Sequence, residues 1–382
     1  MLPLGYALRN LFRDRSRLLQ TVGGSALVVL LIMAAAALNQ GMSQVLSASG
    51  SPRNAILIGT GSEESIQRSE VSPQLPGIAA AGIRGVTKIL GRSAASPEIH
   101  YMSFLQRLDG EKGQGLFRGV TPAALLVHPE VRLTEGTFPK TGEIMVGKLA
   151  WRKLGFKETD LRPGAKLKLE DSQFTVSGIF AAPGTVMESE IWTVLGDLHM
   201  LAQRESLSCV VLRMDDPADF SEADLFAQQR LDLELTAMRE SDYYAALSDF
   251  YNPIKVMTWL TAGLVAAGAI FGGFNTLYAA FASRIRELAT LQAIGFSRVA
   301  VFVSLVQESL MACLAGTLVA SIAALLLLDE RTIPFSIGAF TISISPEIAF
   351  IGLGAGLLLG ILGSLPPAIR CLLPSLPKAL RS

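Results

Sequence analysis

Residues 271–308, FGGFNTLYAAFASRIRELATLQAIGFSRVAVFVSLVQE, decide how the rest of the chain is read. An apolar run carrying Gly268, Gly272 and Gly273 passes without a break into Arg284, Ile285, Arg286 and Glu287, then through Gly295 into a second long apolar run. This pattern predicts a transmembrane helix, a short charged helix on the membrane surface (283–298) and another transmembrane helix. Arg284, Arg286 and Arg298 crowd the one connection, and arginines beside a span stay on the cytoplasmic side because carrying them across costs more than leaving them behind. A compact helix pinned there between two spans can push on both, which is what a cytoplasmic motor needs.

Composition bounds what surrounds this elbow. Half of the 382 residues are hydrophobic, 17% are charged and the mean hydropathy is +0.42. That is too apolar for a soluble globular domain and too polar for a bare membrane bundle, so a membrane protein with one large water-exposed domain is expected. Lys plus Arg and Asp plus Glu both number 33, which leaves no global field for nucleic acid. Cys209, Cys313 and Cys371 are far apart and only Cys209 falls outside the expected spans, so no disulfide framework is expected and the thiols read as packing residues.

Residues 1–17 carry Arg9, Arg13, Arg15 and Arg17 among Leu8, Leu11 and Phe12, as an amphipathic helix on the inner leaflet would. The apolar run at 18–40 follows, long enough at about 1.5 Å per residue to cross about 30 Å of hydrocarbon. A cleavable signal peptide is the competing reading, but its apolar region would be only about 7–15 residues long. Residues 41–252 contain no further candidate span. Short β-rich runs at 55–58, 99–105, 116–120, 144–146, 166–169, 174–180 and 209–214 are separated by turn signals such as Asp109-Gly110, Pro163-Gly164 and Pro183-Gly184. Leu225, Leu231, Leu235 and Met238 recur at helical spacing. The expectation is an α+β extracytoplasmic domain inserted between spans 1 and 2.

Tyr243, Tyr244, Leu247, Phe250 and Tyr251, with Trp259 further in, read either as a packing stripe under that domain or as an aromatic collar at the headgroups. In both readings a helix runs rigidly from domain into membrane, with Pro253 at the junction. Three more spans follow at 253–282, 299–328 and 348–370, with an extracytoplasmic loop at 329–347 and a basic cytoplasmic tail at 371–382. Four spans with both termini in the cytoplasm satisfy every charged connection. Gly268 and Gly272, and Gly352, Gly356 and Gly360, each repeat at spacing four, which places them on one helix face where backbones can approach closely.

Two polar residues sit inside the spans. Asn275 lies about eight residues before Ser283 and Glu308 about ten after Arg298, so both are roughly 12–15 Å above the cytoplasmic surface. Equal depth permits a hydrogen bond that would lock the hairpin carrying the surface helix. Glu308 facing a partner subunit or water is the alternative, and a proton or substrate role a third.

The segment from Asn275 to Glu308 resembles the MacB/FtsX-type permease family of ABC transporters, in which an Asn in the second span is followed by R-E-[IL]-x-x-L-x-A-[IM]-G and by a Glu in the third span. The matching residues are Asn275, Arg286, Glu287, Leu288, Leu291, Ala293, Ile294, Gly295 and Glu308. Pro366-Pro367-Ala368-Ile369-Arg370, Pro377-Lys378-Ala379-Leu380-Arg381 and the opening Ala7-Leu8-Arg9-Asn10-Leu11 are similar to the family's terminal signatures. The resemblance implies porter-like and sabre-like parts in the outer domain, a dimer (a homodimer in the simplest case), and a separate ABC ATPase that binds ATP and magnesium. That ATPase would receive Ser283 to Gly295, with Ser283 and Arg284 at the start, as a coupling helix. A periplasmic adaptor and membrane lipids complete the implied partners, and the inner membrane is the implied location. Gln292 and Phe296 depart from the commonest family residues, and the short outer domain is closest in length to the haem-export and glycolipid-export branches.

No catalytic constellation is legible. Gly142 to Leu149 mimics a P-loop but has Leu149 where a magnesium-binding Ser or Thr is needed, and its apolar middle reads as a strand. His100, His128 and His199 share no ligand spacing with other metal-binding residues, so no metal and no cofactor are expected on this chain. Export energised by a partner ATPase is the leading function. A regulator passing ATPase motion to an extracytoplasmic partner such as a cell-wall hydrolase is the second, and a membrane enzyme or receptor the third.

Overall fold

Hydropathy and length select four helices in the computed structural model, which describes residues 4–373. In chain order the elements begin with α1 (Leu4–Arg13) and α2 (Arg15–Ser49). Then come β1 (Asn54–Gly59), α3 (Leu75–Gly82), β2 (Lys88–Ile89), β3 (Arg92–Ser93), β4 (Ala95–Arg107), β5 (Lys112–Val120), α4 (Ala124–Val127), β6 (Arg132–Gly136) and β7 (Glu143–Gly147). Next are α5 (Ala150–Leu154), β8 (Lys166–Leu169), β9 (Ser172–Ala181), β10 (Ile191–Val194), α6 (Leu195–Leu201), β11 (Cys209–Arg213), α7 (Phe220–Gln229), β12 (Leu235–Arg239) and α8 (Glu240–Phe250). The last are α9 (Asn252–Ala282), α10 (Ile285–Ala293), α11 (Arg298–Leu327), β13 (Thr332–Pro334), β14 (Ala339–Thr341) and α12 (Pro346–Leu372). Helices α2, α9, α11 and α12 are 27 to 35 residues long and apolar enough to cross a membrane.

Two compact units result. One comprises the chain up to Gln40, Pro253–Arg331 and the chain from Ile342; the other comprises Gly41–Asn252 and Thr332–Thr341. In the helical unit α11 is the central rod. Val301, Leu305, Glu308, Ala312, Gly316, Ala320 and Ala324 are buried at steps of three or four, one stripe of a 3.6-residue helix. Helix α12 buries Gly352, Gly356 and Gly360 on one face. A Cβ at Gly352 would lie 2.8 Å from Met33 Sδ and one at Gly360 3.1 Å from the Leu310 backbone, while Gly356 abuts the Thr317 hydroxyl. These glycines permit the close backbone approach that packs spans without a hydrophobic driving force. Gly268 and Gly272 differ: among the described residues, a Cβ on either would meet no atom within 4 Å.

The α+β unit is built on a ten-stranded mixed sheet ordered β12-β1-β11-β4-β5-β10-β7-β9-β6, with β8 pairing β4 and β9. Its longest hairpin, β4–β5, closes at the expected Asp109-Gly110 turn, with Gln106 opposite Lys112 and Gly110 at φ +96°. The string Glu143–Gly147 is the β7 strand, paired with both β9 and β10, so the P-loop likeness is coincidental.

Several local expectations change. Leu235 and Met238 lie on β12, paired with β1, and not on a helix; Glu234 in the left-handed region (φ 48°) ends the preceding helical turn and starts the strand. The domain does not run into α9 as one helix. Helix α8 stops at Phe250, and Tyr251 forms a turn before Asn252 opens α9, where Pro253 suits a first turn because its missing N–H has no intrahelical acceptor there. The aromatic stripe splits: Tyr244 and Tyr251 are buried, whereas Phe250 is 75% exposed. Residues 329–347 are not a bare loop. They hold the β13–β14 hairpin, to whose Phe335 carbonyl Lys153 Nζ donates at 2.6 Å, and Ala339 N donates to Ser189 Oγ at 3.1 Å. The N-terminal helix is shorter than 1–17: it ends at Arg13, and Asp14 caps α2 by accepting from the Arg17 N–H at 3.1 Å. Lys378 and Arg381 of the basic tail lie outside the described residues.

Candidate functional site

The elbow is a helix with two defined ends. Helix α10 ends in a Schellman motif: Gly295 N–H donates to the Gln292 carbonyl and Phe296 N–H to the Leu291 carbonyl, both at 3.1 Å. Gly295 sits at φ +111°, where a side chain would be strained, which is why the motif needs glycine. Phe296 then packs with Leu291 in one apolar cluster, the hydrophobic contact that accompanies this cap. Ser297 Oγ accepts from Ala300 N–H at 3.2 Å and starts α11 at once. The whole turn between surface helix and span thus takes a few residues with every backbone role assigned.

Helix α10 has an inner and an outer face. Leu288 and Ala289 are buried, and Leu288 packs with Leu277, Phe281, Val301 and Leu305. Ser283, Arg286, Thr290, Ala293, Ile294 and Gly295 are exposed. Arg286, Thr290 and Ala293 with Ile294 fall at spacings of four and three to four, so they share one stripe, and Ile294 is 71% exposed. Of the residues that the sequence pattern groups together, Leu288 and Leu291 build the fold, while Ser283, Arg286, Ala293, Ile294 and Gly295 form a surface. Thr290 belongs to that surface and was not singled out by the motif.

Arg284 and Glu287 have a third role. Arg284 Nη1 donates to both Glu308 oxygens, at 3.3 and 3.1 Å, and Arg284 Nε to Glu287 at 3.3 Å. Arg17, in the first turn of α2, pairs with Glu308 Oε1, which it shares with Arg284. Arg13 at the end of α1 donates to Glu287 at 2.7 Å. Glu308 is 3% exposed, so this is a carboxylate held between two arginines inside the helical unit. A buried carboxylate is tolerated only when paired in this way. The node ties α1, α2, the α10 elbow and α11 together. The expected Asn275–Glu308 lock is replaced: both arginines occupy the carboxylate, and Asn275 is exposed, beside Pro366, Pro367 and Arg370 around a cavity of about 410 Å³. Equal depth on neighbouring spans carries no information about Arg17, 291 positions away from Glu308 in the chain.

A second polar cluster lies inside the α+β unit. The register sets His100 opposite Arg118, Arg118 beside Trp192, and Glu98 opposite Cys209, so side chains from four strands meet on one sheet face. Arg118 donates two hydrogen bonds to Glu190, at 2.7 and 2.6 Å, and one to Glu98 at 2.6 Å; Trp192 Nε1 donates to Glu190 at 2.8 Å. His128 Nε2 lies 3.1 Å from Glu98, and its ring is wholly buried. Burial alone would raise the Glu98 pKa, but Arg118 and His128 hold it well below the usual carboxylate range. Burial would likewise lower His128, yet Glu98 and its other carboxylate neighbours hold it up at about 10. His100 goes the other way, lowered by burial and by Arg118, and is neutral. Glu98, His100 and Cys209 bring potential metal-ligand atoms within 4.8 Å of one another. However, Arg118 already occupies the Glu98 oxygen that faces His100, and burial keeps the Cys209 thiol protonated. The cluster is therefore a buried ion-pair core, in which His128 Nδ1 has only the longer contacts to Glu130 at 3.5 Å and Glu240 at 3.8 Å.

Two family models match the chain. The family model for the MacB-like periplasmic core domain matches residues 18–224, more than half of the chain, and that for the FtsX-like permease C-terminal matches residues 259–372. No curated protein matches the sequence. Among solved structures, the periplasmic region of MacB from Actinobacillus actinomycetemcomitans is similar at 10% identity and a TM-score of 0.39, covering 52% of this chain and 94% of that one. The extracellular domain of the noncanonic ABC-type transporter YknZ from Gram-positive bacteria is similar at 13% identity and a TM-score of 0.37, covering 49% and 100%. A domain of a permease protein from Porphyromonas gingivalis gives 17% identity and a TM-score of 0.33, covering 48% and 86%. On the two family matches, with their four long apolar helices and α+β unit, the chain belongs to the MacB/FtsX-type permease family of ABC transporters.

Proposed function

We propose that the chain is the permease subunit of an ABC-type export system in the inner membrane, working as a lever and not as an enzyme. ATP and magnesium bind a separate ATPase subunit, whose movement reaches this chain through the α10 elbow. The elbow passes that movement to α1, α2 and α11 through the Glu308 node, and two permease copies, a homodimer in the simplest case, move their extracytoplasmic domains in response. Both termini face the cytoplasm in this arrangement, and the domain of Gly41–Asn252 with its porter-like and sabre-like parts faces outward, where a periplasmic adaptor can meet it. The cargo is an amphiphile extracted or released on that side.

One observation carries this reading: the α10 elbow presents Arg286, Thr290 and Ile294 outward, while Glu287 is bound to Arg13 of α1 and Arg284, at the start of the helix, to Glu308 of α11, which also holds Arg17 of α2. A surface that is free on one side and fastened on the other is the requirement for a transmitting element. The test is ATP turnover by the partner ATPase, co-reconstituted with this chain in liposomes. Arg286→Glu with Thr290→Glu should lower turnover at least tenfold without loss of folded permease. Unchanged turnover, or ATP hydrolysis by the purified permease alone, would overturn the reading.

A further inference from the structure

One edge of the large sheet carries both chain connections to membrane-length helices. Strand β1 starts there at Asn54, just after α2, and β12 runs antiparallel to it with Arg239 opposite Ala55, so the strand that leads on to α8 and α9 ends at the same edge. Strand β11 is antiparallel to β1 and β4 antiparallel to β11, so β4 also begins at this edge. Only Ala94 separates β3 from β4, and the ladder continues through it: Arg213 N–H donates to the Ala94 carbonyl at 3.0 Å and Ala94 N–H to the Thr87 carbonyl at 2.8 Å. The β2–β3 hairpin therefore prolongs β4 beyond the edge at which α2 enters. At its tip Lys88 lies opposite Ser93 and Ile89 opposite Arg92, which leaves Leu90-Gly91 as a two-residue turn. Both turn residues have positive φ, +52° and +76°, the geometry that Asn-Gly or Asp-Gly adopts at least cost. The position is filled instead by a leucine that is 99% exposed, with Ile89 exposed beside it. Lys88 and Arg92 flank the pair, both exposed, and neither side chain has an ion pair or hydrogen bond among the described residues.

We propose that the β2–β3 hairpin is an interfacial anchor of the α+β unit: Ile89 and Leu90 enter the headgroup layer of the bilayer that α2 leaves, and Lys88 and Arg92 pair with phospholipid phosphates. An apolar tip between two unpaired cations has the chemistry of that layer, with apolar groups toward the acyl chains and basic groups at the phosphates. The reach is of the right order. From Gly41 to Ser49 α2 rises about 12 Å at 1.5 Å per residue, of which the headgroup layer takes about 5–8 Å, and the hairpin extends about 7 Å at 3.3 Å per residue. Charge disfavours the same hairpin of a second copy as the occupant, because tip-to-tip contact would crowd four cations together. The anchor rests on α2 and α9 crossing a membrane and stands whether or not the chain exports anything.

The test is lipid quenching of a fluorescent label on the full chain, reconstituted in vesicles of phosphatidylcholine and phosphatidylglycerol. The native cysteines are buried, so Leu90→Cys supplies the accessible thiol for a nitrobenzoxadiazole label. Leu231→Cys is the control, because Leu231 is 80% exposed but lies in the turn before β12, at the opposite edge of the sheet. The Leu90→Cys label should shift to the blue and lose at least half its intensity when the phosphatidylcholine carries a nitroxide near the carbonyl end of its acyl chain. The Leu231→Cys label should do neither. Lys88→Glu with Arg92→Glu should reduce the quenching of the Leu90→Cys label at least twofold. Independently of any variant, a phosphatidylcholine with a diazirine near the carbonyl end of its acyl chain should label the wild-type chain within residues 88–92. Absence of quenching at Leu90→Cys would overturn the anchor, whether its emission stays that of a solvated label or shifts blue under a protein partner. Equal quenching at both positions, quenching indifferent to the two charge reversals, or photolabelling that misses residues 88–92 would also overturn it.

Discussion

Replacing Glu308 by Gln keeps the shape of the side chain and removes its charge, leaving Arg17 and Arg284 inside the helical unit without their carboxylate. The side chains of Arg17 and Arg284 are 11% and 12% exposed and that of Glu308 4%, so solvent relieves little of the loss. Breaking a buried ion pair by removing one partner costs about 3–5 kcal/mol, and the slight exposure of the arginines argues for the lower end, about 3 kcal/mol. Because Arg284 stands directly before α10, that cost falls on the docking of the elbow. A loss of about 3 kcal/mol raises the population of an undocked elbow roughly a hundredfold. Hydrogen exchange of the peptide covering residues 285–293 should accelerate by up to that factor, with residues 99–107 of β4 unchanged. Arg284→Gln combined with Glu308→Gln should cost less than the sum of the single changes, because the second removes a charge the first has already orphaned. Exchange at 285–293 within twofold of wild type in Glu308→Gln would refute the node as the fastening of the elbow.

Other expectations concern the two units separately. Arg118→Met leaves Glu190 buried without its cation and Glu98 with His128 alone, and should cost about 3–5 kcal/mol, lowering the unfolding midpoint of the α+β unit by about 10 °C in scanning fluorimetry of the full chain. The same cluster sets a pH window. His128, held at about 10, contributes stability that is complete below its unfolded value of 6.5 and is lost as pH rises toward 10. Glu98, held low, contributes stability present above its unfolded value of 4.5 and lost as pH falls through its folded value. Thermal stability should therefore peak between these unfolded values, and His128→Gln should flatten the alkaline limb, measured as midpoint against pH. Gly356→Val drives a branched side chain into Thr317 and should destabilise the helical unit by about 1–3 kcal/mol in urea titration in detergent, whereas Gly268→Ala, facing open space, should be neutral.

The parts of the fold legible in the sequence are those where one chemical signal acts over many residues. Four predominantly apolar stretches of more than twenty residues stand out as candidate spans, and glycine or proline turns bracket the strands of strongest apolar character. Strand β6 escaped because RLTEG is exposed along its whole length and carries no alternation. Strand β12 escaped because Leu235 and Met238 happen to repeat at helical spacing, and only pairing with β1 makes them a strand. The candidate site divides in the same way. The local logic of Leu291 to Ser297, cap and N-cap in sequence, is written in adjacent residues and could be read there. The partners of Glu308 could not, since Arg17 is brought to it by tertiary packing across nearly the full chain. The same holds for Glu98, whose partners Arg118 and His128 share no motif spacing and meet only through strand register.

The most direct measurement is the side of the membrane on which the elbow lies. Cys209, Cys313 and Cys371 are all buried, so an added Ile294→Cys offers the exposed thiol for a membrane-impermeant maleimide. Labelling should occur in inverted membrane vesicles, be absent in intact spheroplasts, and be blocked when the partner ATPase is bound. Labelling from the outside of intact spheroplasts would contradict the account at its foundation.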